Sequence, residues 1–239
     1  MTEGVSDRQT DAFDNPAKSL YRQRHLHVLR EQAPELWLDD ERRRLRGAWL
    51  ELVGATGWRT LELLETTGAI EPEQFVGVDF EAPRIEDYRA RFPRARWLAG
   101  DLLDLVYMPE LEDVVVVHYD AYDAAGGRHA DHVGEQLGAL LRRAVDGYGA
   151  AALLWNTDLD AGRRLGWRAG ASLRAHVERV CGVIRGALGP RRALDPDAMA
   201  PPAAIAAADG GATGMLGSFD VYRGKTSGHR MACLRLVLR

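Results

Sequence analysis

The chain has 239 residues, of which 46% are hydrophobic and 28% charged, enough to bury the core of one large α/β domain. Its formal net charge of -4 gives no global basic signal, so nucleic acid is not favoured as a partner. No apolar run approaches the roughly 18 residues of a membrane span, and Cys181 and Cys233 lie too far apart for a disulfide framework. The start of the chain also lacks the pattern of a signal peptide. We therefore expect a cytoplasmic protein without membrane association.

The N-terminal region is predicted to have two parts. Residues 1–15 are polar and are expected to be disordered. Residues 16–47 form a predicted helical segment, in which Leu20, Leu26 and Leu29 recur at helical spacing. A run that starts with two Asp residues, DDERRRLRGA, has the capping pattern of a second helix. The many Arg side chains of this segment are either solvated helix faces or part of a site for an anionic substrate.

From residue 48 onwards, predicted strands and helices alternate. The predicted strands are AWLELVG, EQFVGVDF, ARWLAGDLLDL, EDVVVVHYDA and GAAALLWNTDLD, with helices in the intervening segments. Continuously apolar runs such as residues 114–117 are typical of a parallel sheet covered by helices on both faces. Right-handed crossovers then give a doubly wound sheet.

The pattern changes after the fifth strand. Residues 172–188 predict a helix, and the Ala-, Pro- and Gly-rich segment 189–217 predicts a loop or lid. The final runs SFDVYRGK and HRMACLRLVLR surround a short turn and predict an antiparallel hairpin. The predicted fold is α/β, with a doubly wound, mainly parallel seven-stranded Rossmann-like sheet that ends in this C-terminal hairpin.

Three acidic residues are predicted to follow strand ends. Asp79 lies 22 residues beyond Gly57, and Asp101 lies 22 residues beyond Asp79, while Glu51 ends the first strand. Parallel strands end at the same edge of a sheet, so these carboxylates are expected to meet there. A carboxylate about 20 residues after a glycine turn reaches the two hydroxyls of a ribose. The spacing therefore predicts a nucleotide-cofactor site at this edge.

The order of these parts resembles the class I S-adenosylmethionine-dependent methyltransferases over roughly residues 48–239. In that family the first strand ends in D/E-x-G-x-G-x-G; here Glu51 takes the acidic place and Gly57 the last glycine, with Val53 and Ala55 at the first two. The ribose-binding acid of the family corresponds to Asp79, and the acid beside the adenine corresponds to Asp101. The resemblance implies S-adenosylmethionine as cofactor and a cofactor site composed of Glu51, Gly54, Gly57, Asp79, Phe80, Asp101 and Leu102.

The methyl acceptor is expected near the exit of the fourth strand, since transfer requires in-line approach to the cofactor methyl group. That exit supplies His118, Tyr119 and Asp120 as candidate catalytic residues, which orient or deprotonate a small-molecule or anionic acceptor. We expect no metal centre, although Asp120 with Asn156 and Asp158 also fits a Mg²⁺ site like that of catechol-type O-methyltransferases. Ordinary turn chemistry explains the latter residues equally.

Two other interpretations stay open. The turn VGATG also resembles that of extended short-chain dehydrogenases, which would bind NAD or NADP, but no Tyr of this chain has a Lys four residues later. Alternatively, Val53 and Ala55 narrow the turn, because a β-branched residue tolerates positive φ poorly. They fit a methyltransferase-like scaffold that binds no cofactor and serves as a binding or assembly protein.

Overall fold

The computed structural model describes residues 16–38, 43–52, 57–121, 128–158, 214–216, 219–223 and 230–239, together with Glu178, Gly182, Arg185 and Gly186. The helices of the continuous stretches are α1 (Pro16–Gln32), α2 (Gly57–Thr66), α3 (Ala82–Arg91) and α4 (Arg128–Tyr148). The strands are β1 (Ala48–Leu52), β2 (Phe75–Asp79), β3 (Arg96–Ala99), β4 (Val114–Ala121), β5 (Ala151–Asp158), β6 (Gly214–Leu216), β7 (Phe219–Arg223) and β8 (Arg230–Leu238). Short 3₁₀ turns lie at Pro34–Leu36, Pro72–Gln74, Leu105–Tyr107 and Pro109–Leu111.

The strands of the described residues form one sheet in the order β3-β2-β1-β4-β5-β8-β7-β6. The strands from β3 to β5 in this order pair in parallel, and β8, β7 and β6 continue the sheet in antiparallel orientation. The mainly parallel sheet and its terminal hairpin are therefore confirmed. The predicted number of seven strands is wrong, because the described sheet has eight. The additional β6 has only 3 residues in a segment without alternating hydrophobicity, so its sequence gives no strand signal.

The two faces of the sheet bury separate apolar clusters. One cluster packs beneath α4 and includes Leu137 and Leu141. The other packs beneath α1, α2 and α3 and includes Leu29, Leu61 and Ile85. Because β4 contributes Val114 to one face and Val115 to the other, its continuous apolar run is explained by burial on both sides.

The first predicted N-terminal helix is confirmed as α1, whose Leu26 and Leu29 are buried. The second predicted helix is wrong at residues 43–47, where the chain is not helical; residues 39–42 lie outside the description. Leu45 instead forms an isolated antiparallel bridge with Trp37, and its N–H donates to the carbonyl of Ala69. Burial of Leu45 and these long-range hydrogen bonds outweigh the local capping pattern.

Other predictions fall on residues that the description leaves out. These are the disordered start at residues 1–15, the cofactor turn at residues 53–56 with Gly54, and the loop or lid up to residue 213. Of the predicted helix at residues 172–188, Glu178, Gly182, Arg185 and Gly186 are described, and their backbone is helical. No helix in the described part of the chain is both long and apolar enough to cross a membrane.

Packing of α1 should contribute measurably to stability. Leu29 is fully buried against the sheet, so Leu29→Ala is expected to lower the free energy of unfolding by about 2–5 kcal/mol. Urea denaturation followed by circular dichroism measures this value. The matched control is Leu38→Ala, since Leu38 is 60% exposed and should change stability by less than about 0.5 kcal/mol. Equal effects of the two variants would contradict the packing of α1.

Candidate functional site

A cleft opens at the carboxyl ends of β1 and β2. It is lined by Glu51 and Asp79, by Gly57 at the start of α2, and by the neighbouring residues Gly77, Val78, Ile85, Tyr88 and Trp97. We call it the acidic cleft. Its volume is about 200 Å³, including space open to solvent. Three of the residues predicted to bind a cofactor, Glu51, Gly57 and Asp79, are thus brought together.

Aromatic side chains form the apolar wall of the acidic cleft. Trp97 lies directly against Gly77, where an added Cβ would collide with the indole ring. Tyr88 packs on Trp97 with ring centroids 4.6 Å apart. Burial raises the pKa of Tyr88 to about 12, so the hydroxyl stays protonated near neutral pH. This wall is therefore uncharged, and the charge of the cleft comes from its two carboxylates.

The carboxylate of Glu51 is buried and accepts hydrogen bonds from three side chains. The indole Nε1 of Trp49 donates to Oε2 over 3.0 Å, and the hydroxyl of Thr60 donates to Oε1 over 3.0 Å. Nδ1 of His118 lies 2.8 Å from Oε2. These donors come from β1, α2 and β4, so Glu51 links three elements below the cleft.

His118 continues this chain of hydrogen bonds to β5. Its Nε2 lies 3.1 Å from the side-chain Nδ2 of Asn156. An amide nitrogen can only donate, so Nε2 of His118 is the acceptor and the ring hydrogen is on Nδ1, facing Glu51. Glu51, His118 and Asn156 therefore form one buried series of hydrogen bonds.

A second buried polar group lies beside this series. Nε of Arg235 donates to Nδ1 of His25 over 2.8 Å, and Nε2 of His25 lies 3.2 Å from Sγ of Cys233. The rings of His25 and His118 are 5.7 Å apart. Burial holds the pKa of His25 well below its usual value, and the positive charges of Arg235 and Arg22 lower it further. His25 is thus neutral, with its hydrogen on Nε2.

Asp79 ends β2 and is also buried, but its partners differ from those of Glu51. Oδ1 accepts the backbone N–H of Glu81 over 2.9 Å, and Oδ2 accepts Nη1 of Arg84 over 2.6 Å. Arg84 also pairs with Glu81 over 2.8 Å. Burial lowers the pKa of Arg84, but its hydrogen bond and ion pair with Asp79 outweigh this effect and raise the pKa overall.

The remaining predicted cofactor residues lie at the outer rim of the same edge. Phe80 follows Asp79 directly and is 71% exposed. Asp101 is exposed, and its Oδ1 accepts the backbone N–H of Leu103 over 2.9 Å. Leu102 packs against the apolar cluster beneath α4. The rim is therefore partly apolar and open to solvent.

The three predicted catalytic residues do not form one group. His118 and Tyr119 are buried on opposite faces of β4, with Tyr119 packed edge-on against Trp155 at 4.9 Å. The backbone of Asp120 pairs with that of Asn156 in the sheet, and its side chain lies outside the description. The proposed role of these residues in orienting an acceptor stays a prediction.

The Mg²⁺ hypothesis also stays a prediction. Asn156 is buried and faces His118, while the side chains of Asp120 and Asp158 lie outside the description. Within the described residues, no group of three or more His, Cys, Asp and Glu side chains could hold a metal ion.

Several partners of the site escaped the sequence reasoning. Trp49 shares a face of β1 with Glu51 because they are two residues apart, and this spacing is a usable signal. Thr60 and Arg84 lie in the first turn of the helix after each strand, where a side chain reaches back towards the strand end. The approach of His25 to His118 has no local signal, because 93 residues separate them (118 − 25).

No protein-family model matches the sequence, and no curated protein matches it. The fold is similar to that of the N-methyltransferase NodS from Bradyrhizobium japonicum WM9, with 16% sequence identity and a TM-score of 0.52 over 94% of this chain and 98% of NodS. NodS in complex with S-adenosylhomocysteine has 16% identity and a TM-score of 0.54 over 98% of this chain and 93% of NodS. The plantazolicin methyltransferase BamL is less similar, with 10% identity and a TM-score of 0.48. The class I methyltransferase fold expected from the sequence is thus confirmed.

Loss of the Glu51 carboxylate should destabilise the fold. Glu51→Ala leaves the buried donors of Trp49, Thr60 and His118 without this acceptor, so the free energy of unfolding should fall by about 3 kcal/mol or more. Urea denaturation measures the change. Asp87→Ala is the control, because Asp87 forms an exposed pair with Arg91 worth at most about 1 kcal/mol. A Glu51 variant as stable as this control would contradict the buried series.

The buried His25 predicts a pH-dependent stability. Its pKa is well below 6.5 in the folded chain, so as pH falls below 6.5 the unfolded chain binds the proton first. The contribution of neutral His25 to the free energy of unfolding should be present above pH 6.5. It should decline below that pH by up to about 1.4 kcal/mol per pH unit. Denaturation at pH 7.5 and 5.5 measures the slope. His25→Gln, which cannot titrate, should reduce the slope, whereas His27→Gln should not, because His27 is exposed beside Glu31.

Proposed function

We propose that the protein is an S-adenosylmethionine-dependent methyltransferase that acts on a small-molecule or anionic acceptor. The observation that carries the proposal is the meeting of Glu51, Gly57 and Asp79 around one cleft at the carboxyl edge of β1 and β2. Ligands of open α/β sheets bind outside the carboxyl ends of the strands. The likeness to NodS, which was solved with S-adenosylhomocysteine, supports the same assignment.

The residues of the cleft suit the parts of this cofactor. Asp79 presents a carboxylate at the end of β2 and would accept hydrogen bonds from the two ribose hydroxyls. Phe80 presents an exposed aromatic ring at the rim, where an adenine would stack against it. Asp101 and Leu102 lie in the loop after β3 and would border the adenine edge. Gly57 begins α2; the first N–H groups of a helix have no partner within the helix itself and would here bind an acceptor atom of the ligand.

The negative charge of Glu51 favours a cationic ligand. Trp49 and Thr60, which donate to this carboxylate, are neutral, so they do not compensate a negative charge in this region of low dielectric constant. A sulfonium or ammonium group near the start of α2 would be attracted by it. We propose this electrostatic role for Glu51 rather than a direct contact, because its oxygens already accept three hydrogen bonds.

When bound, the cofactor supplies an electrophilic methyl group, which passes to a nucleophile of the acceptor as the bond to sulfur breaks. The protein's contribution is to hold the acceptor in line with that methyl group. His118 and Tyr119 are buried, so on this proposal they support the floor of the site. Asp120, at the end of β4, remains the candidate to orient the acceptor or to receive its proton.

A non-catalytic scaffold is the second candidate, and a specific observation favours it. The carboxylates of Glu51 and Asp79 are both hydrogen-bonded within the protein. Both carboxylates therefore have partners within the protein itself, which is compatible with a binding or assembly protein.

Ligand titration separates these candidates. Isothermal titration with S-adenosylmethionine and S-adenosylhomocysteine should give binding, and Asp79→Asn should weaken it about tenfold or more, because an amide replaces the charged acceptor of the ribose hydroxyls. Asp113→Asn is the matched control: Asp113 is also paired with an arginine, Arg96, but at the opposite edge of the sheet. It should bind like the unaltered protein.

Each result has a defined meaning. Absence of heat at millimolar concentrations of both ligands would exclude the methyltransferase and support the scaffold. Binding of NAD or NADP in their place would support the dehydrogenase. With binding established, incubation with a panel of acceptors and isotopically labelled S-adenosylmethionine would identify the acceptor class.

A further inference from the structure

Arg84 and Asp79 form an ion pair at the border of the acidic cleft. Nη1 of Arg84 lies 2.6 Å from Oδ2 of Asp79, and Nη2 lies 2.8 Å from Oε2 of Glu81. The guanidinium thus bridges a buried carboxylate, 4% exposed, and an outer one, 47% exposed. Arg84 lies in the first turn of α3, which is anchored to the sheet by Ile85 and Tyr88.

Both oxygens of Asp79 are held by groups outside the lining of the cleft. Oδ1 is bound by the backbone of Glu81 and Oδ2 by Arg84. Asp79 lines the cleft, whereas neither Glu81 nor Arg84 is among the described residues that do so. A carboxylate accepts up to about four hydrogen bonds, so these two do not by themselves exhaust it. The contacts from Glu81 and Arg84 fix the plane of the carboxylate, and both come from residues that do not line the cleft.

This geometry indicates that Arg84 positions the carboxylate of Asp79 and does not compete with a ligand for it. If Arg84 occupied the place of a ligand, it would line the cleft together with Asp79. The planar guanidinium instead fixes a carboxylate more rigidly than a rotating ammonium group would. The ion pair with Arg84 also compensates the buried carboxylate for its loss of hydration.

We propose that Arg84 is a positioning residue that holds Asp79 ready for a vicinal diol, such as the 2′- and 3′-hydroxyls of an adenosyl ligand. The inference rests on the proposed function, because that function supplies the ribose. Because Asp79 is already ion-paired with Arg84, this carboxylate selects its ligand by hydrogen-bond geometry more than by charge. Asp79 would therefore discriminate between ligands with and without the diol, whatever the rest of the ligand is.

The test compares two ligands that differ only in the diol, S-adenosylhomocysteine and its 2′,3′-dideoxy analogue. Titration calorimetry should show that the unaltered protein prefers the diol. Arg84→Gln should weaken binding of S-adenosylhomocysteine about tenfold and change binding of the dideoxy analogue by less than about twofold. Arg84→Lys keeps the charge but lacks the planar fork, and should give an intermediate loss.

Arg91→Gln is the matched control, because Arg91 lies on the same helix and pairs with an exposed carboxylate, that of Asp87. It should bind both ligands like the unaltered protein, and thermal melting checks that all variants are folded. An equal loss for both ligands, no loss, or tighter binding in Arg84→Gln would each overturn the positioning role while leaving the proposed function intact. Failure of the unaltered protein to bind either ligand would instead overturn the proposed function itself, and with it this inference.

Discussion

The buried carboxylate of Glu51 is the interaction on which the candidate site depends. A charged group that is 3% exposed costs several kcal/mol unless its lost hydration is replaced. The replacement comes from Trp49 on β1, Thr60 on α2 and His118 on β4. Because the donors belong to different elements, Glu51 is satisfied only when all of these elements are in place. The edge of the sheet at which the cleft opens is therefore assembled together with the core.

The same series of hydrogen bonds explains why the two faces of the sheet differ. Within the described residues, every buried polar or charged side chain belongs to the face covered by α1, α2 and α3, and the opposite face, beneath α4, buries an apolar cluster. On the polar face, Glu51, His118 and Asn156 lie beside His25, Arg235 and Cys233. Hydrogen bonds are directional, so they fix one position of α1 on the sheet. Apolar contacts alone would allow several such positions.

The sequence predicted the parts of the structure that depend on local pattern. Runs of apolar residues located the parallel strands, and strand ends located Glu51 and Asp79 at one cleft. Residues 43–47 were wrongly predicted as helix, because Leu45 is held by a hydrogen bond to Ala69 that no local signal reveals. His118 was selected for its chemistry at a strand exit, but its ring is directed into the protein by Glu51, 67 residues earlier. Such contacts follow from the fold as a whole, not from the neighbouring sequence.

The two carboxylates of the cleft have different hydrogen-bond partners, and this difference makes the two ends of the cleft unequal for a ligand. Glu51 accepts hydrogen bonds from the neutral donors Trp49 and Thr60, whereas Asp79 is ion-paired with Arg84. The guanidinium of Arg84, next to Asp79, would weaken the attraction of a cationic group to that carboxylate more than the neutral donors weaken its attraction to Glu51. Under the proposed function, the cationic sulfonium end of a ligand would lie towards Glu51, and the neutral ribose towards Asp79. Charge would set the orientation of the ligand, and hydrogen-bond geometry at Asp79 would set its identity.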